Sequence, residues 1–178
     1  IEAFFVNAVL LAKRLSVEFV YVDDTSCSND FYMPVISVVC RDLSNTVHAV
    51  AWGVLKNRTT ETFARFFSFV AVSFPSITTF MCDRHYAQRK AIIIAFGESV
   101  HIFHCCVHIA RNIASNMGQN TQLAKQFWEM RYARTREAET AFLETLNRVH
   151  YAKKSTFTAH LINSIDSFLP SKVDPVIK

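Results

Sequence analysis

Apolar and polar positions follow two rhythms along the chain, and the switch between them organises it. Val17 to Val22 is a β-branched and aromatic run that reads as a strand buried on both faces. Met33 to Cys40 is a second apolar run. Leu43, Ser44 and Asn45 make a turn, and Thr46 to Leu55 is a third strand, so the last two predict a hairpin. From Thr59 to Phe74 the period becomes 3.6. Phe63, Phe66, Phe67, Val70 and Phe74 fall on one face, Thr59 or Thr60 caps the start, and Pro75 ends the helix. Ser76 to Asp83 is a fourth strand, Arg84 to Phe96 a helix stopped by Gly97, and Val100 to Cys105 a fifth, short strand.

The rest is helical: Val107 to Met117, Gln122 to Tyr132, Glu137 to Val149 and Thr156 to Leu169. The last carries Phe157, Leu161, Ile165 and Phe168 and needs an apolar partner; with none evident, the C-terminal helices are expected to be mobile or self-associating. The order β-β-β-α-β-α-β with an opening meander fits an α/β mixed sheet of the ribonuclease H type, followed by an all-helical extension. Ile1 to Leu15 contains "FFVNAVLLA" but lacks the basic region and cleavage site of a signal peptide. It reads as an amphipathic helix belonging to an upstream region, and the chain as a fragment. The expected partition is 1–16, then a core over 17–118, then a truncated helical insertion over 119–178.

Composition narrows the classes. The chain has 178 residues, three of them Gly, so a glycine-rich phosphate cradle is nearly excluded, and no nucleotide-loop or nucleophile-elbow motif occurs. No apolar run approaches the roughly 20 residues of a membrane helix. Five irregularly spaced Cys suggest a reducing compartment rather than a disulfide framework. A formal charge of +4 is compatible with nucleic acid and does not demonstrate it.

Three groups of residues could carry chemistry. The strand Val17 to Val22 runs into Asp23 and Asp24, and the fourth strand ends in Asp83. If these strands are neighbours, carboxylates converge at the edge where open α/β sheets hold ligands, and a hard cation offsets their repulsion. The structural alternative is that Asp after a strand forms a turn, and that Asp83 caps the next helix. Asp23 and Asp24 face opposite sides of a strand, so alternation does not choose between them. The second group is "HIFHCCVHIARN", where Cys105 and His108 have zinc-ligand spacing but His101, His104 and Cys106 crowd the same segment. The alternative is a buried Cys and a hydrogen-bonded His joining strand to helix. The third is basic: Arg84, Arg89 and Lys90 near Asp83, a looser group of Arg131, Arg134 and Arg136, and the pair Lys153-Lys154, which can contact phosphates or form a solvated face.

Three blocks, in order and at family-like spacing, resemble the Mutator-like element (MULE) transposases. "DDTSCSNDFYMPVI" (Asp23 to Ile36) resembles their D-x-T-Y-x-[TS]-N block. "ITTFMCDRHYAQRKAI" (Ile77 to Ile92) is similar to the second, and "VHIFHCCVHIARNI" (Val100 to Ile113) to the C-x-x-H-x-x-x-N block. The resemblance implies a ribonuclease H-like fold and a DDE-type transposase that uses Mg²⁺, with Mn²⁺ as substitute; the incomplete Cys/His ligand set already disfavours zinc. The resemblance also implies DNA as partner (transposon ends and target), no membrane, a homo-oligomer in the intact enzyme, and the nucleus as location. It makes Asp23 and Asp83 the catalytic, metal-holding carboxylates, with Asp24 at a variable position. Thr25, Asn29 and Asn112 become accessory, and Cys105 and His108 the signature pair, structural or accessory rather than catalytic; the basic cluster of Arg84, Arg89 and Lys90 beside Asp83 supplies the expected DNA contacts. Ser26 replaces the family's aromatic. The third carboxylate block is not found: Glu129, Glu137, Glu139 and Glu144 come too early, and "INSID" (Ile162 to Asp166) matches it poorly. The chain alone is therefore expected to be inactive, an enzyme only if completed by a downstream Glu. Rival readings are a domesticated DNA-binding regulator, a relic without function, and a zinc-binding interaction module.

Overall fold

The computed structural model describes residues 2–12, 16–25, 32–118, 121–153 and 155–169. A six-stranded mixed sheet comes first: β1 (Ala3–Val6), β2 (Phe19–Thr25), β3 (Val35–Arg41), β4 (Val47–Val54), β5 (Thr79–Cys82) and β6 (His101–His104), in the spatial order β1-β4-β3-β2-β5-β6. β2, β3 and β4 form the antiparallel meander, and β5 joins β2 in parallel. The expected α/β mixed sheet with helices interleaved, then a helical region, is present and consistent with a ribonuclease H-like fold. By packing, the chain divides into two compact units, Ile1–Ile102 and Phe103–Lys178.

The first unit differs from expectation at its start. Residues expected as one amphipathic helix instead form β1, paired antiparallel to β4, and a short helix α1 (Ala8–Ala12). The reason is local. Phe4, Phe5 and Val6 favour a pleated surface, and Phe4 packs edge-on against Phe66 at 5.5 Å. Asn7 then does two jobs: its N–H donates to Val50 O, prolonging the ladder, while its Oδ1 accepts from the N–H groups of Val9 and Leu10 and starts the helix.

β2 is also less buried than its composition suggested. Val20 and Val22 are buried, but Phe19 and Tyr21 on the other face are only half-buried, and Arg41 lies over the Tyr21 ring at 5.6 Å. The closed face is covered by α2 (Thr60–Ser73), whose Phe63, Phe66, Phe67 and Val70 are fully buried at the predicted helical spacing. Thr59 caps it by accepting from the Thr62 N–H. Next comes α3 (Tyr86–Phe96), stopped by Gly97 at φ 89°, a backbone that favours glycine. One apolar core joins the buried residues of β2, β3, β4 and β5 to both helices.

The second unit contains α4 (Cys106–Met117), α5 (Gln122–Ala133), α6 (Arg136–Lys153) and α7 (Thr156–Asn163), then a 3₁₀ turn, Ile165–Ser167. Thr121 caps α5 and Ser155 caps α7 through side-chain oxygens. The apolar partner missing from the sequence reading lies within this unit. Leu161, Phe168 and Leu169 are buried in one cluster with Phe127, Met130, Phe142 and Leu146, and the Phe127 ring packs against Phe142 and Phe168 at 5.8 and 6.2 Å. The final helix is shorter than expected because Ser164 Oγ bonds back to the carbonyls of His160 and Leu161, which competes with helical pairing.

Candidate functional site

The parallel register pairs Val20 with Phe80 and Tyr21 with Met81. Two residues further along the chain from Tyr21 and Met81 stand Asp23, still within β2, and Asp83, the first residue beyond β5. Alternation puts Asp23 on the face of Tyr21. Asp23 is exposed and Asp83 half-buried. The Asp83 Oδ1 accepts the Arg84 N–H at 2.6 Å, which fixes that carboxylate against the turn leaving the strand. Across the antiparallel ladder Asp23 faces Ser37, whose hydroxyl reaches the Asp23 carbonyl at 3.4 Å.

Asp24 occupies the opposite face. Its cross-strand neighbour is Ile36, fully buried, and its own side chain is only 5 % exposed. A lone carboxylate there would be costly. Arg58, just before α2, supplies the counter-charge, with Nε 2.5 Å from Asp24 Oδ2 and Nη2 donating to the Asp24 carbonyl at 3.2 Å. Burial still pushes the Asp24 carboxyl above its usual value, against the pull of Arg58 and, more weakly, His85. Adjacent residues in one strand are thus separated by environment, one open and one clamped.

The basic residues expected beside Asp83 are distributed unevenly. Arg84 is half-buried, and burial pulls its guanidinium below the usual value while Asp83 opposes the shift. Arg89 and Lys90 are exposed on α3. On the same helix Gln88 is fully buried, with no hydrogen-bond partner for its amide among the described residues. Thr25 ends β2 and is exposed. Ser26 and Asn29 lie outside the described residues, as does Lys154.

Cys105, His108 and Asn112 belong to the second unit. Cys105 is the residue before α4, His108 stands in its first turn and Asn112 one turn on, so the three share one side of the helix. The Asn112 carbonyl accepts the Asn116 side-chain amide at 2.8 Å. His104, buried, meets the Ser167 hydroxyl at 2.5 Å through Nδ1; that hydroxyl also contacts the Ser164 carbonyl. His104 therefore ties the end of β6 to the last turn of the described chain. Arg131 turns inward to the Phe168 carbonyl, and Arg134 ends α5 in a left-handed conformation. Among the described residues no group of three or more His, Cys, Asp or Glu is placed to hold a metal ion.

A family profile described as the MULE transposase domain matches residues 19–112, more than half of the chain. The chain belongs to this family. The match begins at the first residue of β2 and ends at Asn112, so it covers the first two motif blocks and all but the last residue of the third, and bears out the resemblance drawn from them. No curated protein matches the chain. No described helix of this MULE domain is long and apolar enough to cross a membrane.

Sequence reasoning missed Arg58 and the second role in the aspartate doublet. A signal was present: alternation puts one member of any Asp-Asp pair on the closed face, where a cation must meet it. Arg58 opens the segment leading into α2 and is the basic residue nearest the capping Thr59.

Proposed function

We propose that this domain acts in DNA strand cleavage and transfer, with Asp23 and Asp83 as the carboxylates that hold divalent cations. The observation that supports this reading most is that β2 and β5 are parallel neighbours and each acid follows two residues after the last registered pair, Tyr21 and Met81, with Asp24 on the opposite face and paired with Arg58. Two acidic oxygen donor sets suit Mg²⁺ or Mn²⁺ and suit softer metals poorly. When bound, such cations polarise phosphoryl oxygens and ease deprotonation of the attacking water or 3′-hydroxyl. Asp83 is held by the Arg84 N–H and Asp23 by the ladder to β3, so both acids are pre-oriented. Arg89 and Lys90 are exposed and free to meet phosphates of transposon-end or target DNA, with half-buried Arg84 closer to the acids. Thr25, Asn29 and Asn112 are accessory, and the Cys105–His108 pair shapes the start of α4. The core over 17–118 with the helical insertion over 119–178 would work as a homo-oligomer in the nucleus.

Strand transfer by two cations needs a third acid, and no described Glu or Asp joins this pair. These 178 residues are therefore expected to bind Mn²⁺ and DNA but to nick plasmid at background rates. Calorimetric titration with MnCl₂ tests the reading. Binding lost in both Asp23→Asn and Asp83→Asn supports it; binding unchanged in both overturns it. Metal-dependent nicking abolished by Asp23→Asn would keep the site and refute the inactivity. DNA binding unaffected by either substitution and without cation dependence would favour a regulator.

A further inference from the structure

We infer that Arg58 is a positioning residue for Asp23: it fixes the end of β2 from the opposite face of the sheet and so sets where the neighbouring carboxylate stands. This rests on the proposed role of Asp23 and Asp83. Arg58 grips residue 24 at two points, the carboxylate through Nε and the carbonyl through Nη2. Holding side chain and main chain of one residue at once removes the freedom of that residue to twist about the strand axis. Its neighbour Asp23 inherits the restraint through the shared peptide plane.

The grip is itself anchored. Arg58 sits between Asn57 and Thr59, and the Asn57 Oδ1 accepts from the Thr59 hydroxyl at 2.9 Å, the Thr62 hydroxyl at 2.7 Å and the Thr59 N–H at 3.4 Å. Thr59 in turn caps α2. The chain of support runs from α2, through a turn braced by one amide oxygen, through a guanidinium, to the strand end. β2 needs such support. Its pairing with β5 ends at Tyr21, so beyond that point its registered neighbour among the described residues is β3, and the carbonyl of Asp23 has a long contact from Ser37. The planar Arg presents its donors in a fixed fork that meets the carboxylate and the carbonyl of residue 24 together, whereas the Lys ammonium is a point charge on a flexible stem and restrains the two less.

The test uses the full chain with Arg58→Met, Arg58→Lys and, as a control destabilised in the same core away from the strand end, Val70→Ala. Two quantities are read: the Mn²⁺ dissociation constant, well below the melting temperature of each variant, and amide exchange at Asp24 and Thr25. Arg58→Met is expected to weaken Mn²⁺ binding about tenfold, as loss of groups that orient metal ligands commonly does. It should also speed exchange at the two amides. Arg58→Lys should recover part of both, and Val70→Ala should move neither. Unchanged exchange and affinity in Arg58→Met overturns the inference, as does an equal loss of affinity in Val70→Ala. If the parent shows no Asp23-dependent Mn²⁺ binding, the site reading fails instead. The exchange data then decide the clamp alone: faster exchange in Arg58→Met supports it and unchanged exchange overturns it.

Discussion

Phe4 and Gly53 face each other across the β1–β4 ladder, and the Phe4 ring occupies the space where a side chain on residue 53 would begin. A Cβ there would stand 3.0 Å from Phe4 Cδ1, 3.1 Å from the Ala3 carbonyl oxygen and 3.1 Å from Phe66 Cδ2. Gly53→Ala is therefore expected to destabilise the chain by about 1–3 kcal/mol through overpacking. A denaturant midpoint equal to the parent's would show that β1 does not press on this residue.

Arg58→Met removes the counter-charge from a carboxylate on the closed face. Breaking a buried pair from one side costs about 3–5 kcal/mol; Arg58 is about a third exposed, so about 1–3 kcal/mol is expected here. Asp24→Asn in the Arg58→Met background should cost little more, since the charge left stranded is then gone. Strictly additive losses in urea unfolding would argue against the pair.

The β3–β4 hairpin carries a pH signature. Asp42 takes N–H bonds from Ser44 and Thr46 and meets His48 Nε2 at 2.8 Å, while Asn45 turns through φ 63°. The His48 bond first, then the backbone bonds, hold the Asp42 carboxyl below its usual 3.8. Because the folded value is depressed, its stabilisation is present above 3.8 and is lost as pH falls through the folded value. The Asp42 carboxyl carbon should titrate below 3.8, and His48→Ala should move the midpoint upward. A midpoint at or above 3.8 in the parent would refute this.

In the second unit, Phe127→Ala should cost about 3–5 kcal/mol, because the ring is fully buried between Phe142 and Phe168. Amides of α6 and α7 should exchange slowly in a monomer, contrary to the mobility expected from sequence. Fast exchange there, with slow exchange in α2, would mean that this cluster does not hold.

Where one period dominated, sequence was enough. The Phe63-Phe66-Phe67-Val70 face, its Thr59 cap and the Gly97 stop were all readable, since each depends on neighbours three or four residues away. β1 was not, because nine residues that are apolar except for Asn7 suit a strand or a helix, and the choice was made by Asn7 and by a glycine 46 residues later. Asp23 and Asp83 were readable as strand-end acids. That their strands are parallel neighbours is a pairing that no local pattern encodes. The partner of Asp24 was equally hidden, 34 positions away in sequence.

The two-faced doublet at the end of β2 makes this strand tolerant in one way and brittle in another. Many substitutions upstream keep the parity of the positions that follow. Deleting a single residue between Phe19 and Val22 does not: it would move Asp23 to the place of Val22, beneath the helices, and hand the open position to Asp24. Composition would be almost unchanged, yet an acid would enter the core and Arg58 would lose its mate. Length, more than identity, is what this segment must conserve when it is copied.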